Sequence, residues 1–314
     1  MTASTIATPR GATVSRPRRN NALRGRESRP AWLFVAPFGL FYLAFLIGPT
    51  IYMLIASFFN TSLVTPGFDT FAGLANYREM LSKPEFWSAM WHTLQFTLYT
   101  VPPLVVLAFI FAILANRVRR GQWFFRLAFF IPFILPSASI ALIWTFIYTP
   151  ETGLLAATQS FFGSANPTAV LGTPSLAMVG IAVTTVWWTI GFNFVLYLAG
   201  LQDIPRELYE AAAVDGASPW QQIRSITIPL LNRTTTLVIL LQIIASLKVF
   251  DQVYLMTGGG PGISTEVALG LVTGTAFTDF RVGAASAASV LLFIVILAIA
   301  AIRQLIDRYQ QRTA

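Results

Sequence analysis

The residues from Trp32 to Phe59 read WLFVAPFGLFYLAFLIGPTIYMLIASFF, and none of these 28 residues is charged. About 20 consecutive apolar residues in a helix are enough to cross the hydrocarbon core of a bilayer. The run is also longer than the apolar core of a signal peptide, which argues against a cleaved leader. This stretch therefore predicts a membrane-spanning helix near the amino terminus.

The composition of the chain also indicates a membrane protein. Of the 314 residues, 55% are hydrophobic and only 11% are charged, whereas soluble domains carry about 25% charged residues. The chain has no cysteine, which excludes disulfides and thiolate chemistry, and its single histidine, His92, argues against a histidine metal cluster or a catalytic triad. We therefore expect no catalytic residue, no metal site and no cofactor bound by this chain.

Uncharged or nearly uncharged segments recur along the sequence, and charged residues separate each one from the next. The predicted spans cover about 32–59, 91–116, 127–149, 175–201, 234–256 and 282–302. The expected fold class is all-α, a polytopic membrane protein with six transmembrane helices in a domain covering 31–303. Three of these spans contain two prolines each, which predicts kinked helices around a cavity, although proline is also common in membrane helices without such a role.

The basic residues are concentrated on one side of this predicted topology. Residues 1–30 carry seven arginines and one acid, a composition that predicts a disordered tail. With that tail in the cytoplasm, 17 of the 21 basic residues lie in cytoplasmic segments, as the positive-inside rule requires. We expect a multi-pass plasma-membrane protein with both termini cytoplasmic, and with 304–314 as a second tail. A nucleic-acid-binding arm is the less favoured interpretation of the basic tail.

The longest predicted cytoplasmic loop, 202–231, has the pattern of two short helices around a glycine. Pro205 suits the first turn of a helix that ends near Val214, and Gly216 can adopt the positive φ that stops a helix. Ser218, followed three residues later by glutamine, predicts a capping box at the start of the second helix. The alanines of this loop form a surface that another protein could approach closely.

The same loop carries the motifs Glu210-Ala-Ala, Asp215-Gly-Ala and Ile226-Thr-Ile-Pro229. This pattern resembles the signature loop of bacterial ABC importer permeases, in particular the maltose- and glycerol-3-phosphate-type carbohydrate permeases. Further matches are Gly200-Leu-Gln-Asp-Ile-Pro, Phe250-Asp251, and Thr257-Gly-Gly-Gly-Pro with Thr265. The resemblance covers about 31–303. One departure is Ile223, where the family more often has Phe.

The resemblance implies a type I importer fold in which 202–231 is a cytoplasmic helix–Gly–helix coupling loop. Its residues would dock in a cleft of a cytoplasmic ATPase subunit: Glu210, Ala211, Ala212, Asp215, Gly216, Ala217, Ile223 and Pro229. The resemblance also implies the partners, namely a second homologous permease subunit, two ATPase subunits and an extracytoplasmic solute-binding protein. ATP and Mg²⁺ would bind to the ATPase, because the glycine run 258–262 lacks the Lys-Ser/Thr of a phosphate-binding loop.

Charged residues inside a membrane span are costly, so they are candidates for a functional role. Within a continuous fifth span, Lys248, Asp251 and Gln252 would share one face. Lys248 and Asp251 would either form an outer gate or support element, or Lys248 would extend toward the headgroups with Asp251 paired to it passively. Thr235, Gln242 and Ser246 would form another face. One of these faces should meet the path and the other the partner permease.

In the fourth span, Thr185, Thr189 and Asn193 form a polar stripe beside two tryptophans, Trp187 and Trp188. Hydroxyl and amide groups next to aromatic rings suit a sugar, although helix–helix hydrogen bonding explains the stripe equally simply. The predicted pathway residues are Thr185, Trp188, Thr189, Asn193, Gln242, Ser246, Lys248 and Asp251. His92 is expected to anchor the chain at the membrane interface, and the aromatic loop 60–90 to receive the binding protein.

These features predict a permease subunit that forms half of a path for a sugar or a glycerol-3-phosphate-type solute, driven by ATP hydrolysis in another chain. The absence of clustered basic residues within the spans favours a neutral sugar. The alternative is an ion-coupled secondary transporter that uses Lys248 and Asp251, but the internal repeat common in such carriers is not evident. A membrane-embedded enzyme would need a catalytic constellation, and the sequence offers none.

Overall fold

The structure is a computed structural model that describes residues 34–118, 121–164 and 166–313. Regular secondary structure in these residues is helical, apart from one isolated bridge between Phe59 and Phe71. The expected all-α fold is therefore confirmed. The predicted basic tail, 1–30, lies outside the described residues.

The helices follow one another with short connections. In chain order they are α1 (Phe34–Ala56), α2 (Ala75–Ser82), α3 (Pro84–Arg117), α4 (Gln122–Ile134), α5 (Ser137–Tyr148), α6 (Leu154–Phe161), α7 (Pro174–Gln202), α8 (Arg206–Val214), α9 (Pro219–Leu230), α10 (Asn232–Leu247), α11 (Asp251–Thr257), α12 (Ala268–Thr278) and α13 (Val282–Thr313). The described chain divides into two compact units, one ending at Tyr52 and the other beginning at Met53.

By length and apolarity, four of these helices could each cross a bilayer alone, namely α1, α3, α7 and α13 as far as Ile302. Two bent pairs meet the same criterion, α4 with α5 and α9 with α10. When each bent pair is counted as one span, the described helices give six, the number that the sequence predicts.

The predicted third span, 127–149, is two helices that meet at an angle of 95°. Leu135 and Pro136 separate them with extended ψ values of 143° and 142°. A residue before proline is pushed out of the helical region by the proline ring, so the helix has to end there. In contrast, α3 continues through Pro102 and Pro103 without a break, so paired prolines do not by themselves interrupt a span.

The predicted fifth span, 234–256, is not continuous. Helix α10 ends at Leu247, and α11 begins at Asp251. In the turn between them the Lys248 N–H bonds back to the carbonyls of Ala245 and Ser246, and the Val249 N–H bonds to the carbonyl of Ser246. Because this tight turn replaces the regular helical ladder, Lys248 and Asp251 do not share one helical face, and that expectation was wrong.

One core cluster holds α3, α7 and α10 together. Ala108 and Ala112 on α3, both 0% exposed, lie against Phe194 and Tyr197 of α7. Small side chains on one helix allow a second helix to approach closely, which increases van der Waals contact where lipid offers no hydrophobic driving force. This packing buries part of α7 in the core and positions its polar stripe.

A second cluster, around Met178, Ile181 and Val253, joins α5, α7 and α11. A third packs Met80 and Phe86 against Ala284 and Ala288 of α13. Together with the first cluster they form the core of the unit that begins at Met53, and they set the positions of the cavities described below.

Candidate functional site

A cavity of about 300 Å³ lies between α3, α7 and the junction of α10 and α11. Seven of the eight residues that the sequence assigns to a pathway line this cavity. They are Thr185, Trp188, Thr189, Gln242, Ser246, Lys248 and Asp251. Residues from two separate predicted spans therefore meet around one space, which is the minimum requirement for a shared path.

The eighth residue, Asn193, lies next to the cavity in the interface between α7 and α10. Gln242 Nε2 donates a hydrogen bond of 2.9 Å to Asn193 Oδ1, and both side chains are buried. Asn193 thus makes the helix–helix hydrogen bond that the sequence offered as the alternative role of the polar stripe. Gln242 serves both purposes, since it bonds to Asn193 and also lines the cavity.

Unlike Asn193, the two threonines of the stripe form hydrogen bonds within their own helix. Thr185 and Thr189 donate their hydroxyl hydrogens to carbonyls four residues earlier in α7, at 2.9 and 2.8 Å. A hydroxyl oxygen still has lone pairs after it has donated its hydrogen, so both threonines remain acceptors toward the cavity. The cavity therefore offers acceptor oxygens at fixed positions.

Lys248 and Asp251 line the same cavity as Gln242 and Ser246, although the sequence placed them on different faces. The break in the helix after Leu247 brings Lys248 and Asp251 to the same cavity as Gln242 and Ser246. Among the described residues no ion pair joins Lys248 to Asp251. Asp251 Oδ2 instead accepts a hydrogen bond of 3.1 Å from Ser137 Oγ at the start of α5. Asp251 thus connects the α10–α11 junction to the bend between α4 and α5.

Aromatic rings form one wall of the cavity. Phe133 and Trp188 line it with ring centroids 6.4 Å apart, and Phe96 and Phe250 also contribute. Trp188 Nε1 donates to the Leu135 carbonyl at 3.2 Å, which fixes the indole against the bend between α4 and α5. Ring faces pack against the C–H surface of a polyol, while polar groups bind its hydroxyls.

Sequence reasoning missed the phenylalanines of this wall. Phe96, Phe133 and Phe250 come from three helical segments that are distant in sequence, and aromatic residues are frequent throughout the chain. Phe250 stood out only as part of the Phe250-Asp251 match to the permease family, and the sequence assigned none of the three to the pathway.

The loop predicted to couple to an ATPase has the expected geometry. Helix α8 ends at Val214, and Gly216 follows with φ +79°. The Ser218 N–H donates to Gln221 Oε1 at 2.7 Å and the Gln221 N–H to Ser218 Oγ at 3.4 Å, which completes the predicted capping box. Tyr209 and Thr227 share a hydrogen bond of 2.9 Å between their hydroxyls, which ties α8 to α9.

Most of the predicted coupling residues are accessible. Glu210, Ala211, Asp215, Gly216 and Pro229 are exposed, and Ala212, Ala217 and Ile223 are half-buried. The two most exposed large apolar residues of this loop are Val214 at 89% and Trp220 at 67%, and neither was among the predicted coupling residues. They lie on either side of Gly216, so the turn presents an apolar surface beside the charges of Glu210 and Asp215.

The glycine-rich segment after α11 is held by hydroxyl groups. The Thr257 and Thr265 hydroxyls lie 2.8 Å apart, and Thr265 Oγ1 donates to the Gly260 carbonyl at 2.7 Å. His92 Nδ1 lies 3.0 Å from the Glu266 carbonyl and donates to it, so His92 joins α3 to this segment. This contact gives His92 a structural role at the position where the sequence predicted an anchor.

Residues 105–313 match the family described as the binding-protein-dependent transport system inner membrane component. The trehalose/maltose transport system permease protein MalF of Thermococcus litoralis is 34% identical over 92% of this chain and 97% of that protein. The sulfoquinovosyl glycerol transport system permease protein SmoG of Agrobacterium fabrum is 34% identical over 87% of this chain and 88% of that protein.

A solved bacterial alginate ABC transporter, in complex with an alginate pentasaccharide-bound periplasmic protein, contains a chain of the same fold. The TM-score is 0.78 at 21% identity, over 93% of this chain and 98% of that chain. These comparisons confirm the resemblance on which the sequence analysis relied, and nothing in them supports an ion-coupled carrier. The chain belongs to the binding-protein-dependent transport system inner membrane components and is a permease subunit of an ABC importer, a transporter component rather than an enzyme.

Proposed function

We propose that this permease forms half of the translocation path of a carbohydrate importer and moves its substrate by ATP-driven alternating access. The observation that carries the proposal is the cavity between α3, α7 and the α10–α11 junction, which combines an aromatic wall with hydroxyl, amide and charged groups. Trehalose/maltose and sulfoquinovosyl glycerol in the names of the relatives, and alginate in the solved transporter, all contain sugar units.

The charges around the cavity favour a neutral sugar. Among the described residues, one cation, Lys248, and one anion, Asp251, line the cavity, so this lining carries no net charge. A substrate with a phosphate or several carboxylates would meet Asp251 without a second cation to compensate, and repulsion between like charges would oppose entry. Hydroxyl groups of a neutral sugar could instead bond to either residue and to Gln242 or Ser246.

The path would be completed by a second homologous permease subunit in a bacterial plasma membrane, with both termini of this chain in the cytoplasm. An extracytoplasmic solute-binding protein would deliver the sugar to the loop 60–90, where Phe71 and Trp87 are 70% and 56% exposed. Two cytoplasmic ATPase subunits would hold ATP and Mg²⁺.

The turn around Gly216 would transmit the movement of the ATPase. Val214 and Trp220 are exposed apolar side chains of a kind that a protein cleft buries, and Glu210 and Asp215 add charges at the rim. The hydrogen bond between Tyr209 and Thr227 would make the two short helices move together, so displacement of the turn would reach α10 and the cavity. We likewise propose that the permease domain covers 31–303 and that the coupling loop covers 202–231.

Filling the cavity tests the path directly. Ala245 lines the cavity and is exposed, so Ala245→Phe adds a ring there without removing any hydrogen bond. In cells that express the complete transporter, we expect uptake of labelled trehalose or maltose to fall at least about ten-fold. Leu237→Phe is the matched control, since Leu237 is exposed on the same helix and does not line the cavity. Normal uptake by the Ala245→Phe chain would contradict the proposed path.

The coupling role is tested separately by the double substitution Glu210→Ala with Gly216→Val. Valine is strained at φ +79°, so the turn would change shape as well as lose a charge. We expect the ATPase subunits to stop co-purifying with the permease and uptake to stop. Glu207→Ala, an exposed acid in the first turn of the same helix, is the control. Unchanged co-purification and uptake in the double variant would disprove the coupling assignment.

A further inference from the structure

A second cavity, of about 880 Å³, lies where α3 ends, α4 begins and α7 passes into α8. Its lining is polar and includes two guanidinium groups, those of Arg117 and Arg206. It shares no lining residue with the proposed sugar path. Within the described part of the chain the ion pairs involve Glu79 alone among the acids, so neither arginine forms an ion pair with a carboxylate there.

The groups around this cavity suit a phosphate. Guanidinium groups bind phosphate through paired, charge-assisted hydrogen bonds, and side-chain amides add further donors. Three amides line the space, those of Asn116, Gln122 and Gln202. The first turns of α4 and α8 also begin here, and no side chain among the described residues caps either helix. Their free N–H groups add positive partial charge.

The position of the cavity indicates a lipid as the source of that phosphate. Both α3 and α7 are long enough to cross a bilayer, and the cavity lies at their carboxyl-terminal ends, where the headgroups of a bilayer spanned by these helices would be expected. Trp123 and Phe124, on the first turn of α4, are 69% and 57% exposed, as expected for aromatic residues at a membrane interface. Buried Leu201 forms part of an apolar floor.

We propose that this cavity binds the phosphate of an anionic phospholipid headgroup, held by Arg117 and Arg206. Basic pockets between transmembrane helices bind such headgroups in other membrane proteins. Glu210 also lines the cavity and disfavours a bare phosphate, but its carboxylate accepts hydrogen bonds from hydroxyls. A glycerol headgroup supplies those hydroxyls, so we infer phosphatidylglycerol as the preferred lipid. The proposal does not depend on the transported substrate or on which leaflet the cavity faces.

Lipid retention by the purified full-length chain tests the proposal. The chain is equilibrated in detergent with phosphatidylglycerol or phosphatidylcholine of the same acyl chains, and bound lipid is counted by native mass spectrometry. We expect about five-fold preference for phosphatidylglycerol, and about five-fold weaker retention after Arg117→Gln or Arg206→Gln. Arg224→Gln removes an exposed arginine of the same loop that does not line the cavity, and should leave retention unchanged. Thermal melting confirms that each variant is folded.

Three outcomes would overturn the proposal. Equal retention of the two lipids would show that the cavity does not select an anionic headgroup. A loss in Arg224→Gln as large as in Arg117→Gln would indicate a general effect of net charge. Complete displacement of the lipid by excess inorganic phosphate would make free phosphate the ligand. Because uptake is not measured, failure here leaves the proposed sugar path unaffected, and failure of the path leaves this site unaffected.

Discussion

At Gly191, the backbone of α7 comes very close to the backbone of α4. A side chain built on Gly191 would collide with the Phe129 carbonyl oxygen and would lie 3.0 Å from the Phe130 Cα. These are backbone atoms, so they cannot move aside as the end of a flexible side chain can. The contact holds the aromatic residues of α4 against α7 two residues from Thr189, which lines the proposed path.

We therefore predict that Gly191→Ala strongly destabilises the chain. The overlap with backbone atoms should lower the free energy of unfolding by about 3 kcal/mol, the upper end for an overpacked core. Gly274→Ala is the control, because nothing lies within 4 Å of a side chain there and alanine favours a helix. Thermal melting in detergent would show a large decrease for Gly191→Ala and none for Gly274→Ala. Equal melting temperatures would contradict the close approach of the two backbones.

Glu266 gives a second prediction at the residue scale. Its carboxylate lies against Gly259 and Gly270 in the segment between α11 and α12, and burial raises its pKa above the usual value of 4.5. When folding raises the pKa of a carboxyl, ionisation of that carboxyl destabilises the folded state. The loss of stability from Glu266 therefore grows as the pH rises above 4.5. Glu266→Gln should raise the melting temperature at neutral pH, and the gain should shrink toward pH 4.5. Glu151→Gln, which alters an exposed acid, should show no such trend.

The candidate site shows how far residue-level prediction reaches. Membrane depth and helical spacing were enough to select Thr185, Thr189 and Gln242, because charged and polar groups stand out in an apolar span. The same spacing assigned Lys248 and Asp251 to one face and was wrong, because no proline or glycine marks the break after Leu247. Phe96 and Phe133 could not be selected, since one phenylalanine in an apolar span looks like any other, and Phe250 stood out only through the match of Phe250-Asp251 to the family.

At the scale of helices, α2 is fastened to the start of α13 by an ion pair. Arg281 Nη1 and Nη2 donate to the two carboxylate oxygens of Glu79 at 2.6 and 2.5 Å, and Lys83 lies 2.8 Å from the same carboxylate. Hydrogen bonds from Arg281 and then Lys83 lower the pKa of Glu79 from 4.5 to about 2. Asn76 supports the same junction by donating to the carbonyls of Ser57 and Phe59.

This ion pair predicts a specific loss of stability in acid. A carboxyl with a lowered pKa contributes fully above its usual value, so the contribution of Glu79 should be intact above pH 4.5 and lost as the pH falls toward 2. Melting temperatures of the wild type should therefore fall more steeply between these values than those of Glu79→Gln. Glu85→Gln removes another acid of the same segment that makes no ion pair among the described residues, and it should follow the wild type. Parallel curves for Glu79→Gln and wild type would contradict this.

Helices were predictable where a single sequence feature, such as a long uncharged run or a capping pattern, was strong. Uncharged runs of sufficient length indicated α1, α3, α7 and α13, and the capping pattern at Ser218 indicated the start of α9. Short helices were missed, such as α2 and α12, because a few turns of mixed sequence carry no strong periodicity and owe their structure to packing on α3 and α13. The ends of α3 extend past the predicted span because a helix can continue beyond the bilayer, as it does from Pro84.

On the scale of the whole molecule, the distribution of charge predicts which side of the membrane each segment faces. Because 17 of the 21 basic residues lie in segments predicted to share the side of the amino-terminal tail, the positive-inside rule predicts that this side is cytoplasmic. The turn around Gly216, where an ATPase would dock, falls on the same side by this rule, and the segment 60–90 falls on the other. Both assignments follow from one argument, so one experiment can test them together.

The absence of cysteine makes that experiment clean, because a single introduced cysteine is the only thiol in the chain. Val214 is 89% exposed and Val64 is 73% exposed, so Val214→Cys and Val64→Cys are matched substitutions on opposite predicted sides. In spheroplasts, a membrane-impermeant maleimide should label Val64→Cys at once and Val214→Cys only after permeabilisation, with the cysteine-free wild type unlabelled. Labelling of Val214→Cys in sealed spheroplasts as fast as Val64→Cys would reverse or abolish the orientation. The turn at Gly216 would then face away from ATP, and no ATPase could drive transport through it.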